Sequence, residues 1–347
     1  MMSPVSKITF TDFKGIRKGD VDLERFTILI GRNNSGKSSV LEALFLLPIP
    51  NRETPYGDAL STIRSLHDTL ESRSFSFLLK DYISEECRVE YIMRRGVRAV
   101  FSCAPVDGAI DAEMSWFKGQ NRAASMRLRL GERPELLHPR VHEVSEIRKR
   151  LKSLGVPETL LIHPGLVQAG WDYIQAHWER VTQRGLDREV ARELSRLVGG
   201  NYVGMTLEPL LKKKISLNLQ DEEGRRIRLG DLGDGAQILA TVMLLVQLTR
   251  PNLLLWDDLE AHMNPQLLTF TLRWLDELAV GGVQVVASTH SLEVLRYASQ
   301  LLSDREWFGV RLLTLRDGEL KPIPLTRDQL DELLAAGVDV RVAEALL

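Results

Sequence analysis

The sequence predicts an α/β fold in which a parallel sheet carries a glycine-rich loop at its edge, and three local patterns support this. Residues 26–30 are β-branched and apolar, as in a buried strand, and the residues after position 38 have helical character. Two further apolar runs, 251–258 and 283–288, are typical of strands that end in polar side chains. Because parallel strands present their carboxyl ends at one edge of a sheet, these polar groups should meet there.

The loop between the first strand and helix has the complete sequence G-x-x-x-x-G-K-[ST], read here as GRNNSGKS over residues 31–38. Its backbone N–H groups and the positive end of the helix favour a bound anion. Lys37 can reach the β- and γ-phosphates of a nucleotide, and the Ser38 hydroxyl can bind Mg²⁺. The predicted nucleotide-binding residues are Gly31, Asn33, Asn34, Ser35, Gly36, Lys37, Ser38 and Ser39. A simple glycine turn is the alternative, which the strand and helix on either side disfavour.

Composition is compatible with one large domain or two modest ones, at 347 residues, 44% hydrophobic and 27% charged. The net charge of −2 gives no overall field that would attract nucleic acid or a membrane surface. The N-terminus lacks the pattern of a signal peptide, and the apolar runs are too short to cross a bilayer. We therefore expect a soluble cytoplasmic protein without membrane insertion. Two cysteines exclude a zinc site made of cysteines alone.

Carboxylates and a histidine follow the two later strands. Asp257 is placed to hold Mg²⁺, directly or through water, and Asp258 is placed to orient an attacking water. His290 follows the next strand and can contact a γ-phosphate, while Glu260 is a rival base two residues beyond Asp258. Each group taken alone is equally typical of a helix N-cap. Their order after a phosphate loop favours catalytic roles for Asp258, His290 or Glu260.

A second glycine-rich turn, LGDLGDGAQ over residues 229–237, leads into the apolar helix 238–247. It forms another anion-binding helix N-terminus, and one nucleotide rarely needs two such sites in one chain. We therefore predict that Gly233, Asp234 and Gly235 face the γ-phosphate held by a second protomer. The predicted assembly is a homodimer with nucleotide between its protomers; the family resemblance described next implies a head-to-tail arrangement around ATP.

These motifs together resemble the SMC/RecF/OLD branch of the ABC-type P-loop ATPases. The resemblance rests on the opening strand and turn at 8–16, the loop at 31–38, the "DEPExxLHP"-like segment at 256–265 and the switch histidine within 288–291. It implies an α/β ATPase head with an inserted helical lobe, ATP and Mg²⁺ as cofactors, and hydrolysis of ATP. The specific motifs lie within residues 5–50 and 225–300; the middle of the chain matches only in length and character.

Three departures from the family pattern shape the functional hypothesis. Asp258 stands where relatives have a longer glutamate, so hydrolysis should be slow. Gly233 replaces the serine of transporter signatures, and no Q-loop glutamine follows the strand after the first helix. We therefore expect an ATP-driven switch in DNA repair, DNA maintenance or anti-phage defence, acting with a separately encoded nuclease or effector. The alternative is the nucleotide-binding subunit of a membrane transporter.

The predicted organisation has three segments. Residues 1–130 contain the N-terminal ATPase part, 131–227 a mainly helical insert, and 228–347 the signature, the paired aspartates and the switch histidine. Helices are predicted at 144–154, 160–184 and 186–198, strands at 215–220 and 226–229, a hairpin at 311–324 and a last helix from 327. Trp171 and Trp178 are expected in the core, with a nucleic-acid stacking surface as the alternative.

A second hairpin is predicted from 87–93 and 97–103, with Cys87 directly opposite Cys103. Their contact is expected, and whether they bond is left open, because disulfides are uncommon inside cells. DNA is a candidate ligand because cations cluster in a near-neutral chain. The clusters are Arg94 with Arg95, residues 148–150, residues 212–214, and Arg225 with Arg226.

Overall fold

The computed structural model describes residues 4–68, 74–140, 143–210, 214–302 and 304–345. The strands are β1 (Val5–Phe13), β2 (Ile16–Asp22), β3 (Phe26–Ile30), β4 (Glu53–Thr54), β5 (Gly57–Asp58), β6 (Cys87–Met93), β7 (Val97–Val106), β8 (Ala109–Lys118), β9 (Asn121–Leu130), β10 (Pro134–His138), β11 (Thr159–Ile162), β12 (Tyr202–Leu210), β13 (Lys214–Asp221), β14 (Arg226–Arg228), β15 (Leu253–Trp256), β16 (Gln284–Ser288), β17 (Phe308–Arg316) and β18 (Glu319–Leu325). The helices are α1 (Lys37–Phe45), α2 (Ala59–His67), α3 (Val144–Leu154), α4 (Val167–Ala176), α5 (Trp178–Gln183), α6 (Leu186–Val198), α7 (Asp234–Thr249), α8 (Pro265–Val280), α9 (Leu292–Leu301) and α10 (Arg327–Ala335). Short 3₁₀ turns include Leu229–Leu232 and Val340–Ala345.

Thirteen strands of the described chain form one mixed sheet, in the order β10-β9-β8-β7-β6-β1-β2-β18-β17-β3-β16-β15-β11. Five neighbouring strands, β17, β3, β16, β15 and β11, run parallel to one another. The strand before the phosphate loop, β3, therefore lies between β16 and β17, and Ile28 pairs with Ala287 and Val310. This arrangement confirms the α/β class and brings the carboxyl ends of β3, β15 and β16 to one edge.

The sheet has an apolar core on each face, and β3 contributes to both. Leu29 packs into the core that contains α1, whereas Phe26, Ile28 and Ile30 pack into the core that contains α7 and α8. A strand buried on both faces reads as a continuous apolar run, which is why the sequence identified β3 so clearly. The predicted strand 26–30, the helix after it and the placement of β16 beside β3 are confirmed, whereas β15 lies one strand further along, beside β16.

The cysteine hairpin also has the predicted register. Cys87 on β6 pairs with Cys103 on β7, with 5.2 Å between their Cα atoms. Both side chains are buried in the sheet core, and the structure joins the two sulfur atoms as a disulfide. The hairpin of β17 and β18 likewise turns at Asp317, as predicted.

The prediction of one helix over 160–184 is wrong at its start. Residues Thr159–Ile162 form β11, which pairs in parallel with β15 at the edge of the main sheet. A run as short as these four buried residues, three of them apolar, has no periodicity that separates a buried strand from a buried helix. The helices begin only after Pro164 and Gly165, as α4 and α5, and Trp171 and Trp178 pack partly buried against the core.

Between residues 131 and 227 the chain contains α3 to α6, the main-sheet strands β10 and β11, and a three-stranded sheet of β12, β13 and β14. Helices α3 and α6 have the predicted bounds. Helix α7 packs against α4, α5 and α6 and also contacts β11, so it joins this helical group to the main sheet. The division into three segments stays a prediction. Across the described residues, no helix has the length and apolar character needed to cross a membrane.

Candidate nucleotide site

The phosphate loop connects β3 to α1 through backbone conformations that its residues suit. Gly31 (φ 145°) and Gly36 (φ 93°) have positive φ, and Asn34 (φ 65°) lies in the left-handed region that asparagine tolerates. A Cβ at Gly31 would lie 2.4 Å from the Leu313 carbonyl oxygen and 2.7 Å from Ser35 Oγ, so only glycine fits. The loop therefore curves tightly enough to direct its N–H groups toward one point.

Lys37 folds back over this loop. Its Nζ donates to the carbonyl oxygens of Gly31 (3.1 Å) and Arg32 (2.9 Å) and to Ser35 Oγ (3.3 Å). The side chain is only 5% exposed, and burial lowers the pKa of Lys37 against the opposing charges of Asp257 and Asp258. The ammonium group thus lies at the loop, within the field of the carboxylates that follow β15.

Ser288, at the end of β16, connects the two aspartates. Its hydroxyl donates to Asp257 Oδ1 and accepts a bond from the Asp258 N–H (2.9 Å). Asp257 is 6% exposed, whereas the Asp258 side chain is about half-exposed and its backbone has φ 52°. Burial raises the pKa of Asp258, and the charges of Asp257 and Glu260 add to the effect. Such a carboxylate takes up a proton more readily than an ordinary aspartate.

Glu260 holds the segment that contains His290. Its carboxylate accepts bonds from Thr289 Oγ1 (2.7 Å) and from the His290 N–H (2.6 Å). The imidazole of His290 lies beside Asp258, with 3.8 Å between Nε2 and Oδ1. The structure thus brings Asp257, Asp258, Glu260 and His290 together, and it engages both carboxylate oxygens of Glu260 in positioning its neighbours.

A cavity of about 450 Å³ opens at the phosphate loop and is lined by residues 33–39 and His290. It continues to Lys14, Glu42 and His67, which contact one another. Lys14 Nζ pairs with the Glu42 carboxylate, which also contacts His67 Nε2 at 2.9 Å. Phe77 stacks against His67, with ring centroids 5.1 Å apart. Of Lys14, Glu42, His67 and Phe77, only Lys14 belongs to a motif that the sequence identified.

The second glycine turn lies apart from this cavity: among its described lining residues, none comes from 233–235. Gly233 (φ 90°) is the N-cap of α7, and Asp234 lies 3.5 Å from His262 Nδ1. Gly235 packs against the loop after β15, since a Cβ there would lie 2.5 Å from the His262 carbonyl oxygen. The roles of Gly233, Asp234 and Gly235 stay predictions. The α7 N-terminus and the loop that carries Asp258 are packed together within one chain.

This packing predicts the effect of a single methyl group. Gly235→Ala should destabilise the fold by about 1–3 kcal/mol, because the new Cβ meets backbone rather than a flexible side chain. Gly230→Ala is the matched control in the same turn; no atom lies within 4 Å of its Cβ position, and the change should be within about 0.5 kcal/mol. Urea denaturation of both variants measures the difference. Equal effects would contradict the proposed close approach.

Strand Thr159–Ile162, which the sequence did not identify, ends close to the paired aspartates. The strand is β11, which ends beside β15 and is followed by His163. The Asp257 N–H donates to the Ile162 carbonyl oxygen (2.8 Å), and the charge of His163 contributes to lowering the pKa of Asp258, against the larger raising effects. Recognition of 159–162 as a strand would have placed this histidine at the site.

Comparison with known proteins gives the family. The family described as "AAA domain, putative AbiEii toxin, Type IV TA system" matches residues 104–296, more than half of the chain, and the chain belongs to it. The family described as "AAA ATPase domain" matches residues 4–80. A segment of 45 residues is 49% identical to the DNA replication and repair protein RecF of Vibrio campbellii. That alignment spans 13% of this chain and 13% of RecF.

Two solved structures share the fold. An SMC head bound to the C-terminal winged-helix domain of ScpA has a TM-score of 0.57 at 15% identity, and the alignment covers 94% of this chain and 99% of that one. A second SMC head with an extended coiled coil, bound to the C-terminal domain of ScpA from Pyrococcus furiosus, has a TM-score of 0.50 at 13% identity, covering 97% and 99%. The chain is thus a member of this AAA-domain family and has the fold of an SMC head, which is the ABC-type P-loop ATPase fold that the motifs predicted.

Proposed function

We propose that this protein is an ATP-driven switch that binds ATP and Mg²⁺ at residues 31–39 and dimerises head-to-tail around the nucleotide. The observation that carries the proposal is the convergence of Lys37, Asp257, Asp258 and His290 at one edge of the parallel sheet. Asp258 serves as the base for slow hydrolysis, and Glu260 positions His290. The nucleoside end of ATP extends along the cavity toward Lys14 and His67.

The oxygen donors of the site suit magnesium. Ser38 and Asp257 supply a hydroxyl and a carboxylate, and Mg²⁺ in nucleotide sites is commonly held by one or two such groups together with phosphates and water. Over the described part of the chain, no cluster of three His, Cys, Asp or Glu side chains is arranged to hold a metal ion. A magnesium ion held by Ser38 and Asp257 would neutralise phosphate charge.

The test is nucleotide binding, hydrolysis and mass in solution. The purified protein should bind ATP with Mg²⁺, release phosphate slowly, and double its mass by light scattering when hydrolysis is blocked. Lys37→Ala should lose ATP binding, because its ammonium is the cation at the loop. A native protein that binds ATP no better than Lys37→Ala would overturn the proposal.

The biological setting follows from the family and relatives as a proposal. The family description refers to a toxin–antitoxin system and RecF to replication and repair, which supports defence or DNA maintenance with a separately encoded effector. The alternative, a subunit of a membrane transporter, predicts a permease partner instead. Co-purification with tagged protein from its native host distinguishes a nuclease or other effector from a permease.

DNA binding is a further expectation, and it depends on cationic side chains that are not already paired with carboxylates. Arg225 pairs with Asp221 and Glu223, and Arg226 pairs with Glu208. Residues 212 and 213 lie outside the described residues. Arg148 and Arg150 are exposed on α3, and they are the better candidates for phosphate contacts.

If DNA binds, its affinity should fall by about tenfold or more between 50 and 200 mM salt, independently of sequence, because released counterions drive such binding. Arg148→Ala with Arg150→Ala should weaken binding and flatten the salt dependence. Arg225→Ala, whose guanidinium is already paired with carboxylates, is the control and should change little. Fluorescence anisotropy with a labelled duplex measures all three; an affinity independent of salt removes DNA from the proposal.

A further inference from the structure

The C-terminal segment of the described chain docks beside the switch histidine. Its 3₁₀ turn, Val340–Ala345, is anchored by Val340 and Ala343, which are 0% and 2% exposed. Val340 belongs to the same core as β3 and α7. The anchored turn holds Arg341 against the segment that follows β16.

Arg341 makes a rigid set of contacts there. Its Nε and one terminal nitrogen donate to the two oxygens of Asp339, at 2.8 and 2.7 Å. The other terminal nitrogen, NH1, donates to the His290 carbonyl oxygen at 2.8 Å. Since a guanidinium is planar, the paired bonds to Asp339 fix the direction of the third bond.

His290 is therefore held from two sides. Glu260 accepts its N–H at 2.6 Å, and Arg341 donates to its carbonyl oxygen. These bonds fix both peptide groups of the residue and so set where its imidazole lies relative to Asp258. Neither contact uses the imidazole itself, which leaves the ring available to a ligand.

The charges around Arg341 favour its ionised form and its contact with Asp339. Hydrogen bonding to Asp339 raises the pKa of Arg341, and the charge of Glu260 adds to this. Arg341 lowers the pKa of Asp339, with a smaller contribution from Arg32 in the phosphate loop. The turn thus lies within the fields of both the phosphate loop and the switch segment.

We propose that Arg341 is a positioning residue. It holds residues 289–291 so that His290 and Asp258 both lie at the γ-phosphate. The proposal rests on the ATPase function proposed above and adds the C-terminal turn to the hydrolytic machinery. It places the control of hydrolysis partly in a segment that follows every nucleotide motif in the sequence.

The experiment compares Arg341→Ala with Arg305→Ala. Arg305 makes a similar paired contact with Asp276 on α8. Asp276 lies eleven residues after the first residue of that helix, roughly 16 Å along its axis. Arg341→Ala should lower kcat for ATP about tenfold and change KM less than about twofold, because binding at the loop is untouched. Arg305→Ala should leave kcat unchanged. Should Arg341→Ala fold poorly, Asp339→Asn loosens the same paired bonds while keeping the guanidinium.

Two further measurements separate positioning from general damage. In a His290→Ala background, Arg341→Ala should lower kcat less than about twofold further, since both changes act through the same group. Hydrogen exchange of the amides of residues 289–291 should accelerate in Arg341→Ala and not in Arg305→Ala. Additive losses of kcat, or unchanged exchange, contradict the positioning role of Arg341.

The outcomes also separate this inference from the proposed function. If the native protein hydrolyses ATP and Arg341→Ala does so equally fast, only this inference is wrong. If the native protein and Lys37→Ala are equally inactive, the proposed function itself is wrong.

Discussion

Asp258→Asn is expected to lower the turnover of ATP by about a hundredfold or more while ATP binding and dimerisation persist. A positioned general base contributes on this scale, and asparagine cannot accept the proton of the attacking water. Asp258 is about half-exposed, and its pKa is raised by burial and by the charges of Asp257 and Glu260. Single-turnover hydrolysis with excess protein measures the step directly, and equilibrium binding of a labelled ATP analogue measures the affinity.

Glu260→Gln is the matched comparison, because Glu260 is the rival base. Both oxygens of Glu260 already accept bonds from Thr289 and His290, so we expect its loss to act through the position of His290. The loss of rate should be smaller than for Asp258→Asn. If Asp258→Asn hydrolyses ATP at the native rate and Glu260→Gln does not, the base is Glu260.

Side-chain length gives a second comparison at the same position. Asp258→Glu extends the carboxylate by one methylene toward the water, so its rate should equal or exceed the native rate. The native aspartate should then give slow turnover and a persistent ATP-bound dimer, as suits a switch. A large loss of rate in Asp258→Glu would indicate that the native geometry, set by φ 52° at this residue, already suits aspartate.

The parts of the site that sequence could predict are those whose signals are local. A buried strand, a loop with fixed glycine positions and a following helix lie within residues 26–45, so one window of sequence contains the whole signal. The paired aspartates and the switch histidine each follow an apolar strand, and parallel strands deliver their ends to one edge. The register of the cysteine hairpin followed from its short turn.

The parts that could not be predicted depend on contacts between distant segments. Strand β11 consists of a threonine and three apolar residues, which fit a helix equally well until β15 is known to lie beside it. Strands β8 to β10 and β12 gave no recognised pattern. Glu42, His67 and Lys14 come from three separate elements, and Arg341 reaches His290 from 51 residues away. No local pattern in the sequence identifies such pairs.

The Lys14–Glu42 pair leads to the largest expected effect on stability. Glu42 is 4% exposed on α1, and its carboxylate is paired with Lys14 and bonded to His67. Glu42→Gln should destabilise the fold by about 3–5 kcal/mol, because it leaves the buried ammonium of Lys14 without a counter-charge. Glu319→Gln removes an acceptor from the surface pairs with Arg17 and Lys18 and should cost no more than about 1 kcal/mol. Urea denaturation at pH 7 compares the two.

The same pair predicts how the difference depends on pH. Burial opposes ionisation of Glu42, yet Lys14 and His67 outweigh it and hold the pKa of Glu42 below its ordinary value of 4.5. A carboxyl whose pKa is lower in the folded state stabilises the fold above the ordinary value, and the stabilisation is lost as the pH falls through the folded value. The difference in free energy of unfolding between native protein and Glu42→Gln should therefore be largest at pH 7 and shrink below about pH 4.5.

Combining Glu42→Leu with Lys14→Met, which removes both charges, should recover much of the lost stability. A double variant as unstable as Glu42→Gln would show that the loss of stability comes from altered packing around Glu42 and Lys14, not from the unpaired charge.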